Sequence, residues 1–454
     1  MISAVLSLWF AVGAQTQMAD LTIDNFQPAD VVRYPVVIVT GSAEGPEMAI
    51  GTSWKKACRF PVVNHRYTAL VELNPGKNMV LAHSGSDTVK FRLDYKPMTG
   101  PYKIFAVYVT ASDEKETYYT TDPKDRFPIR QKFDVALKLM QAFNADAMNR
   151  AGYGRKTFPL ELGKDGNVVV HFVKSPKTGS ELRALDGNAI YAHVYDLVKP
   201  LYQESTTKWL GIMGFTSFDA SSKKIVGHLA LGGGSQALFG GGTMQWWPES
   251  IKDVPKVFVN TTVLDPDKTF EDSAFRRTVW ANVSTALGAA LHELGHTFGL
   301  PHSPDPFCVM SRGFDYFSRS FTVQEAPAAG SKNPTAFAPD QQTRWGPFFA
   351  ARLNYSPWFQ PDGNRGEVFD GSKPPSIAFE GDDVVIDAPN GIRVAGAEND
   401  AIPPWFVEYK QGDPPKKLKL SRHELRTKMQ NTKETFQIVV IDNQGQQVQV
   451  EDKL

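Results

Sequence analysis

Little in this chain points to covalent stapling, a charged partner or a membrane. Cys58 and Cys308 are the only two cysteines in 454 residues and lie far apart, so the chain is no disulfide scaffold, and two free thiols are preferred to one bridge. There is no charge imbalance either. Lys plus Arg and Asp plus Glu are 49 each, for a net charge of zero, which excludes the basic footprint of a nucleic-acid binder. No internal run reaches the roughly 18 apolar residues that span a bilayer, so no transmembrane segment is expected and a soluble mature chain is predicted. Hydrophobic residues at 42% and charged residues at 22% exclude disorder of the whole chain, while 31 Pro and 36 Gly favour many turns over long bundles. The length predicts about two to four domains.

The text itself begins with an apolar run from Ile2 to Val12 followed by Gly13-Ala14, which is read as a signal peptide over residues 1–14. A buried first strand is the alternative, because no Lys or Arg precedes the run. The signal reading predicts a secreted protein, extracellular or periplasmic. Asn260, Asn282 and Asn354 head N-x-[ST] triplets, which chance explains, and Asn282 falls inside a predicted helix.

Residues 20–97 alternate short strand-like runs with turn residues, including a hairpin signal at Asn74-Pro-Gly-Lys-Asn78, and predict a small β-domain. Its pattern resembles the immunoglobulin-like accessory domains of secreted bacterial enzymes. Residues 98–360 interleave strands and helices. Within them, apolar residues at Phe133, Ala136, Leu137, Met140, Phe143 and Ala147 predict an amphipathic helix over 130–150. NVVVHFV predicts a buried strand, and a second long helix is predicted over 272–298 with Phe275, Val279, Val283, Leu287, Leu291 and Leu294 on one face. Between them, HLALGGGSQALFGGG is read as an edge strand at a cleft rim or as a glycine-rich structural hairpin; without GK[ST] it is no phosphate loop. From Gln360 to Pro375 the chain reads as a linker, and 366–454 as a second β-domain.

The chemistry concentrates at His292-Glu293-Leu-Gly-His296-Thr-Phe-Gly299-Leu-Pro-His302, the pattern HExxHxxGxxH. Positions i and i+4 of a helix lie about 40° apart around the axis, so His292 and His296 can reach one ion from one face. Gly299 can end the helix and turn the chain so that His302 supplies a third nitrogen. Three protein ligands leave one position open, the layout of a catalytic Zn2+ site, and Glu293 is placed to reach a zinc-bound water rather than the metal. His65, His83, His171, His193, His228 and His423 are isolated and are read as ordinary residues.

HELGHTFGLPH followed by Phe307-Cys308-Val309-Met310 resembles the metzincin clan of zinc peptidases. With VMSRGFDYFSRSF and LALGGGSQALFG, residues of roughly 100–360 are similar to a poorly characterised zinc metallopeptidase family of fungi and bacteria. The resemblance implies an α+β fold: a metzincin-like lobe, with a twisted mixed sheet and an active-site helix, flanked by N- and C-terminal β-sandwich-like domains. It implies that Met310 is a structural Met-turn residue beneath the metal, and that an edge strand binds an extended peptide. Tyr316 stands six residues past Met310, not at the spacing the clan uses for a tyrosine ligand. Arg319 is read as a solvated charge in preference to a carboxylate partner. Cys58 does not match the clan's propeptide switch.

The expectation is a secreted zinc-dependent endopeptidase acting on a protein or peptide, through a zinc-activated water with Glu293 as general base. Two alternatives remain open: a surface-binding or adhesion protein with a latent zinc lobe, and a zinc hydrolase of a non-peptide amide. The flanking β-domains could take carbohydrate, protein or nothing.

Overall fold

A computed structural model describes residues 21–360, 373–430 and 435–452. The signal-peptide expectation for 1–14 lies outside the described residues, as does most of the expected linker.

Seven strands come first: β1 (Asp30–Val32), β2 (Val36–Ser42), β3 (Glu47–Gly51), β4 (Cys58–Pro61), β5 (Arg66–Glu72), β6 (Gly76–Ser84) and β7 (Asp87–Tyr95). They form a sheet of order β1-β7-β6-β3-β4 and a separate β2-β5 pair. On β6 buried and exposed side chains largely alternate, as a sheet with one wet face requires. The Asn74–Asn78 segment is not the expected hairpin. β5 pairs with β2 while β6 pairs with β3 and β7, so the chain leaves one sheet there and enters the other. Gly76 takes φ +98°, and the Asn78 side chain accepts from the Asn74 amide at 2.9 Å and donates to its carbonyl at 2.7 Å. The turn residues are right; the partner strand is chosen by packing.

The middle of the chain supplies β8 (Lys103–Thr110), α1 (Ile129–Arg150), β9 (Val170–Lys174), α2 (Gly179–Arg183), α3 (Gly187–Val198), β10 (Thr207–Met213), β11 (Ser217–Asp219), β12 (Lys224–Val226), β13 (Ala230–Gly233), β14 (Gln236–Gly240), α4 (Val254–Val257), α5 (Val279–Thr297) and α6 (Pro347–Tyr355). Its main sheet has the order β13-β14-β10-β8-β9, parallel throughout except that β13 runs antiparallel to β14. NVVVHFV therefore becomes the edge strand β9, and its residues past Val170 are only partly buried. The helix at 130–150 is not amphipathic in its environment. It touches both β2 and α5, and even Lys132, Lys138, Gln141 and Asn144 are buried. The first two sheets and the main sheet share one hydrophobic core, from Leu21 through Tyr108 and Leu137 to Phe359.

The remaining strands, β15 (Ser376–Glu380), β16 (Asp383–Asp387), β17 (Ile392–Asn399), β18 (Ile402–Glu408), β19 (Lys417–Ser421), β20 (Phe436–Asp442) and β21 (Gln447–Asp452), form sheets β15-β16-β19 and β18-β17-β20-β21. A short helix, α7 (Arg422–Lys428), joins β19 to the segment before β20. Val384, Ile386, Ala395, Ile438 and Val440 belong to a separate core between these elements. The chain is thus a mixed α+β protein with several sheets.

One helix boundary departs from expectation. α5 begins at Val279, seven residues later than the periodicity suggested, because Thr278 bridges to Val263 and Ala274, Phe275 and Arg277 hold φ of 51°, 68° and 52°. A right-handed helix cannot contain those angles. Phe275, expected on the buried face, is 99% exposed.

Candidate metal and catalytic site

The last two turns of α5 carry His292, Glu293 and His296, and its end is a Schellman closure. The amide of Gly299 bonds to the His296 carbonyl at 3.0 Å and that of Leu300 to the Gly295 carbonyl at 3.4 Å, with Gly299 at φ +78°. A left-handed turn of this kind suits glycine, which is why the chain can reverse there and bring His302 back.

His292, His296 and His302 come together: their ring nitrogens lie within 4.8 Å of one another. No other group of three or more His, Cys, Asp or Glu side chains converges in this way among the described residues. The His292 ring places Nδ1 2.8 Å from the Val309 carbonyl, and His296 places Nδ1 2.8 Å from the Leu300 carbonyl. A carbonyl only accepts, so each Nδ1 carries the proton and each Nε2 keeps a lone pair. Those two Nε2 atoms are 3.1 Å apart. Burial depresses the basicity of His292 to about 4 and lowers that of His296 too, so both rings are neutral at pH 7. Three imidazoles without a thiolate form a donor set that fits zinc.

Glu293 is 7% exposed, and burial pushes its carboxyl up to about 8. A divalent cation beside it would pull that value down again. Met310 is fully buried, its sulfur in the space a Cβ on Gly295 would need, so it packs under the turn that carries both helical histidines. Phe314 stands edge-on to His292 with ring centres 5.3 Å apart, a neighbour that spacing alone did not mark.

β13 is the open edge of the main sheet and runs beside α5. Gly232 lies against the Glu293 backbone carbonyl so closely that a Cβ would collide with it. The Tyr191 hydroxyl, from α3, lies 3.0 Å from each of the Gly233 and Gln236 carbonyls, joining the two strands. The glycine-rich stretch is thus a hairpin whose first strand is the sheet edge.

Other expectations divide. Tyr316 is held over the Arg319 guanidinium, 3.9 Å from its ring centre, and makes no ring contact with the three histidines. Arg319 is not a solvated charge: it is 7% exposed and pairs with Glu325 at 2.9 Å. Cys58 and Cys308 are both free thiols. His171 pairs with Glu161 at 2.5 Å, His193 with Ser175 at 2.9 Å, and His228 sits partly buried between Phe239 and Phe270. Asn282 is fully buried and bonds to Asp272 and Phe270, so it is no glycan acceptor in the fold. The sequence reading missed Asp400, whose carboxylate lies 3.6 Å from His302 Nδ1.

Comparison with known proteins gives consistent names. A family model described as "Putative peptidase family" (Metallopep) matches residues 20–393. A protein of Schizosaccharomyces pombe named "putative zinc metalloproteinase" is 26% identical over 376 residues, covering 76% of this chain and 61% of its own length. One of the same designation from Saccharomyces cerevisiae is 26% identical over 384 residues, covering 75% of this chain and 55% of its own. The chain therefore spans little more than half the length of these relatives. Among solved structures, catalytically inactive OgpA from Akkermansia muciniphila, in complex with an O-glycopeptide substrate, aligns with TM-score 0.45 and 17% identity over 78% of this chain and 93% of that one. Archaemetzincin from Methanopyrus kandleri aligns with TM-score 0.23 and 15% identity over 55% of this chain and 93% of that one.

Proposed function

Because the chain belongs to this peptidase family, we propose that it is a zinc-dependent endopeptidase, with His292, His296 and His302 as metal ligands and Glu293 as general base. The observation that carries the reading is the convergence of three imidazoles, two of them locked by backbone carbonyls with Nε2 turned to a common point. When bound there, zinc supplies Lewis acidity that activates water near neutral pH and polarises a carbonyl. Glu293, next in sequence to a ligand, takes the proton from the attacking water and hands it to the leaving amine. Met310 keeps the ligand turn from shifting, and Phe314 walls one side of His292. The metzincin assignment rests on the HExxHxxGxxH pattern together with this methionine packing. The open edge of β13 offers main-chain hydrogen bonds to an extended peptide, which favours a peptide over another amide.

In the same reading the chain divides into a β-domain at 20–97, the peptidase lobe at 98–360 and a C-terminal β-domain at 366–454. Export is proposed on the pattern of residues 1–14 alone.

The test is mass-spectrometric detection of new peptide N-termini after a complex proteome is incubated with the zinc-loaded protein and with its Glu293→Ala variant. New termini only with intact Glu293 are expected, with a rate loss in the variant of about 10²–10⁴-fold. Equal cleavage by both overturns the assignment of Glu293, and no cleavage by either overturns the endopeptidase reading.

A further inference from the structure

The three histidines are not held alike. His292 and His296 each give Nδ1 to a carbonyl of their own neighbourhood. His302 sits past the helix on an exposed loop, and the acceptor facing its Nδ1 is the Asp400 carboxylate at 3.6 Å. That distance is ion-pair range, longer than a hydrogen bond. Asp400 occupies the tip of the β17–β18 hairpin, in the C-terminal sheets. The tip is braced: Asn399 accepts from the Ala401 amide at 2.8 Å and donates to the Thr435 carbonyl at 2.8 Å.

Two residues before Asp400, the register of β17 against β18 shifts between Ala397 and Asn399, a bulge of the kind that re-aims a side chain. The residue within it, Glu398, is buried and grips Arg352 of α6 through Nη1, at 2.6 and 2.7 Å to its two carboxylate oxygens. Arg352 is 1% exposed, and its Nη2 donates to the carbonyl of Gly299, the residue that turns the chain toward His302. Removing either partner of so buried a pair strands a charge away from water, so the pair is a firm constraint on whatever it touches.

We propose that the C-terminal β-module positions the third metal ligand, Asp400 orienting the His302 ring while the Glu398–Arg352 pair fixes the Gly299 turn beneath it. The inference rests on the zinc-ligand reading above. All of these are positioning residues. A carboxylate behind a metal-bound imidazole sets its tautomer and raises its basicity, and losing such a partner typically costs about 10- to 100-fold in metal affinity.

The test uses the full chain and reads zinc affinity by competition with a chromophoric chelator, together with the visible spectrum of the cobalt(II)-loaded protein and the unfolding midpoint of the metal-free form. Asp400→Asn is expected to weaken zinc about 10-fold or more and to alter the cobalt spectrum, with the metal-free midpoint unchanged, and Asp400→Glu to recover most of the affinity. Glu398→Gln is expected to weaken zinc in its folded fraction; if it does not fold, Arg352→Lys is read in its place. Wild-type zinc affinity in Asp400→Asn overturns the inference while leaving the ligand assignment intact. A wild type that takes up no zinc, or a His302→Ala variant that binds it as tightly, overturns the ligand assignment and the inference with it.

Discussion

Helices α1 and α5 are the two long helices of the central lobe, 22 and 19 residues, and both are buried over most of their surface, polar side chains included. They differ in where those polar groups are spent. On α1, Lys132 donates to the carbonyls of Met244, Gln245 and Trp247 at 2.8, 3.0 and 3.1 Å, Gln141 to that of Phe158 at 2.8 Å, and Asn144 accepts from the Trp345 indole at 2.9 Å. The first half of α5 is similar, with Ser284 and Thr285 tied to Asp315. Its last two turns break the pattern. There each Nδ1–H of His292 and His296 is tied to a carbonyl while the opposite nitrogens approach one another to 3.1 Å. Burial of polar groups thus marks a fold; buried lone pairs that converge mark a site.

The comparison is sharpened by variants that should separate chemistry from stability. The largest effect is expected in the last turn of α5: His296→Ala removes a proposed ligand outright, beyond the loss typical of outer partners, and should weaken zinc roughly a thousandfold, read by chelator competition. The metal-free protein should unfold at nearly the wild-type denaturant midpoint. On α1 the reverse is expected. Lys132→Ala removes the ammonium that bonds the carbonyls of Met244, Gln245 and Trp247 and should cost about 3 kcal/mol in urea unfolding, while zinc stoichiometry stays at the wild-type value. A stable Lys132→Ala protein would erase the distinction between the two helices. The smallest effect belongs to the seam between sheet and site: Gly232→Ala forces β13 off the Glu293 carbonyl, with an expected stability loss of about 1–3 kcal/mol and a raised KM for a peptide substrate.

What the sequence disclosed follows the same line. The placing of His292, Glu293, His296 and the Gly299 turn is decided within one stretch of chain by helical pitch and a left-handed glycine, so spacing was enough to expect it. Met310 was accessible only by resemblance, and its sulfur packs against Gly295. Features set by distant partners were hidden. Phe275 had the phase of a helix residue, yet the bridge between Thr278 and Val263 takes that segment out of the helix. Arg319 carried no sign of Glu325 folding over it, and the strand after Asn74–Asn78 could pair with a neighbour no turn residue specifies. Asp400 had no local signal at all, for an aspartate at a hairpin tip is ordinary turn chemistry.

The Schellman closure at Gly299 also bears on the order in which the molecule assembles. Residues 292 to 302 are eleven positions of chain, so bringing the three imidazoles near one another closes a short loop at small entropic cost, and it needs little beyond the helix itself. Asp400 lies 98 positions past His302 (400 minus 302), and can arrive only after the C-terminal strands have found one another. On the reading proposed above, nascent chains would gather the three imidazoles early and gain Asp400 late, so metal taken up during synthesis would be held about 10-fold more weakly until the last hairpin docks.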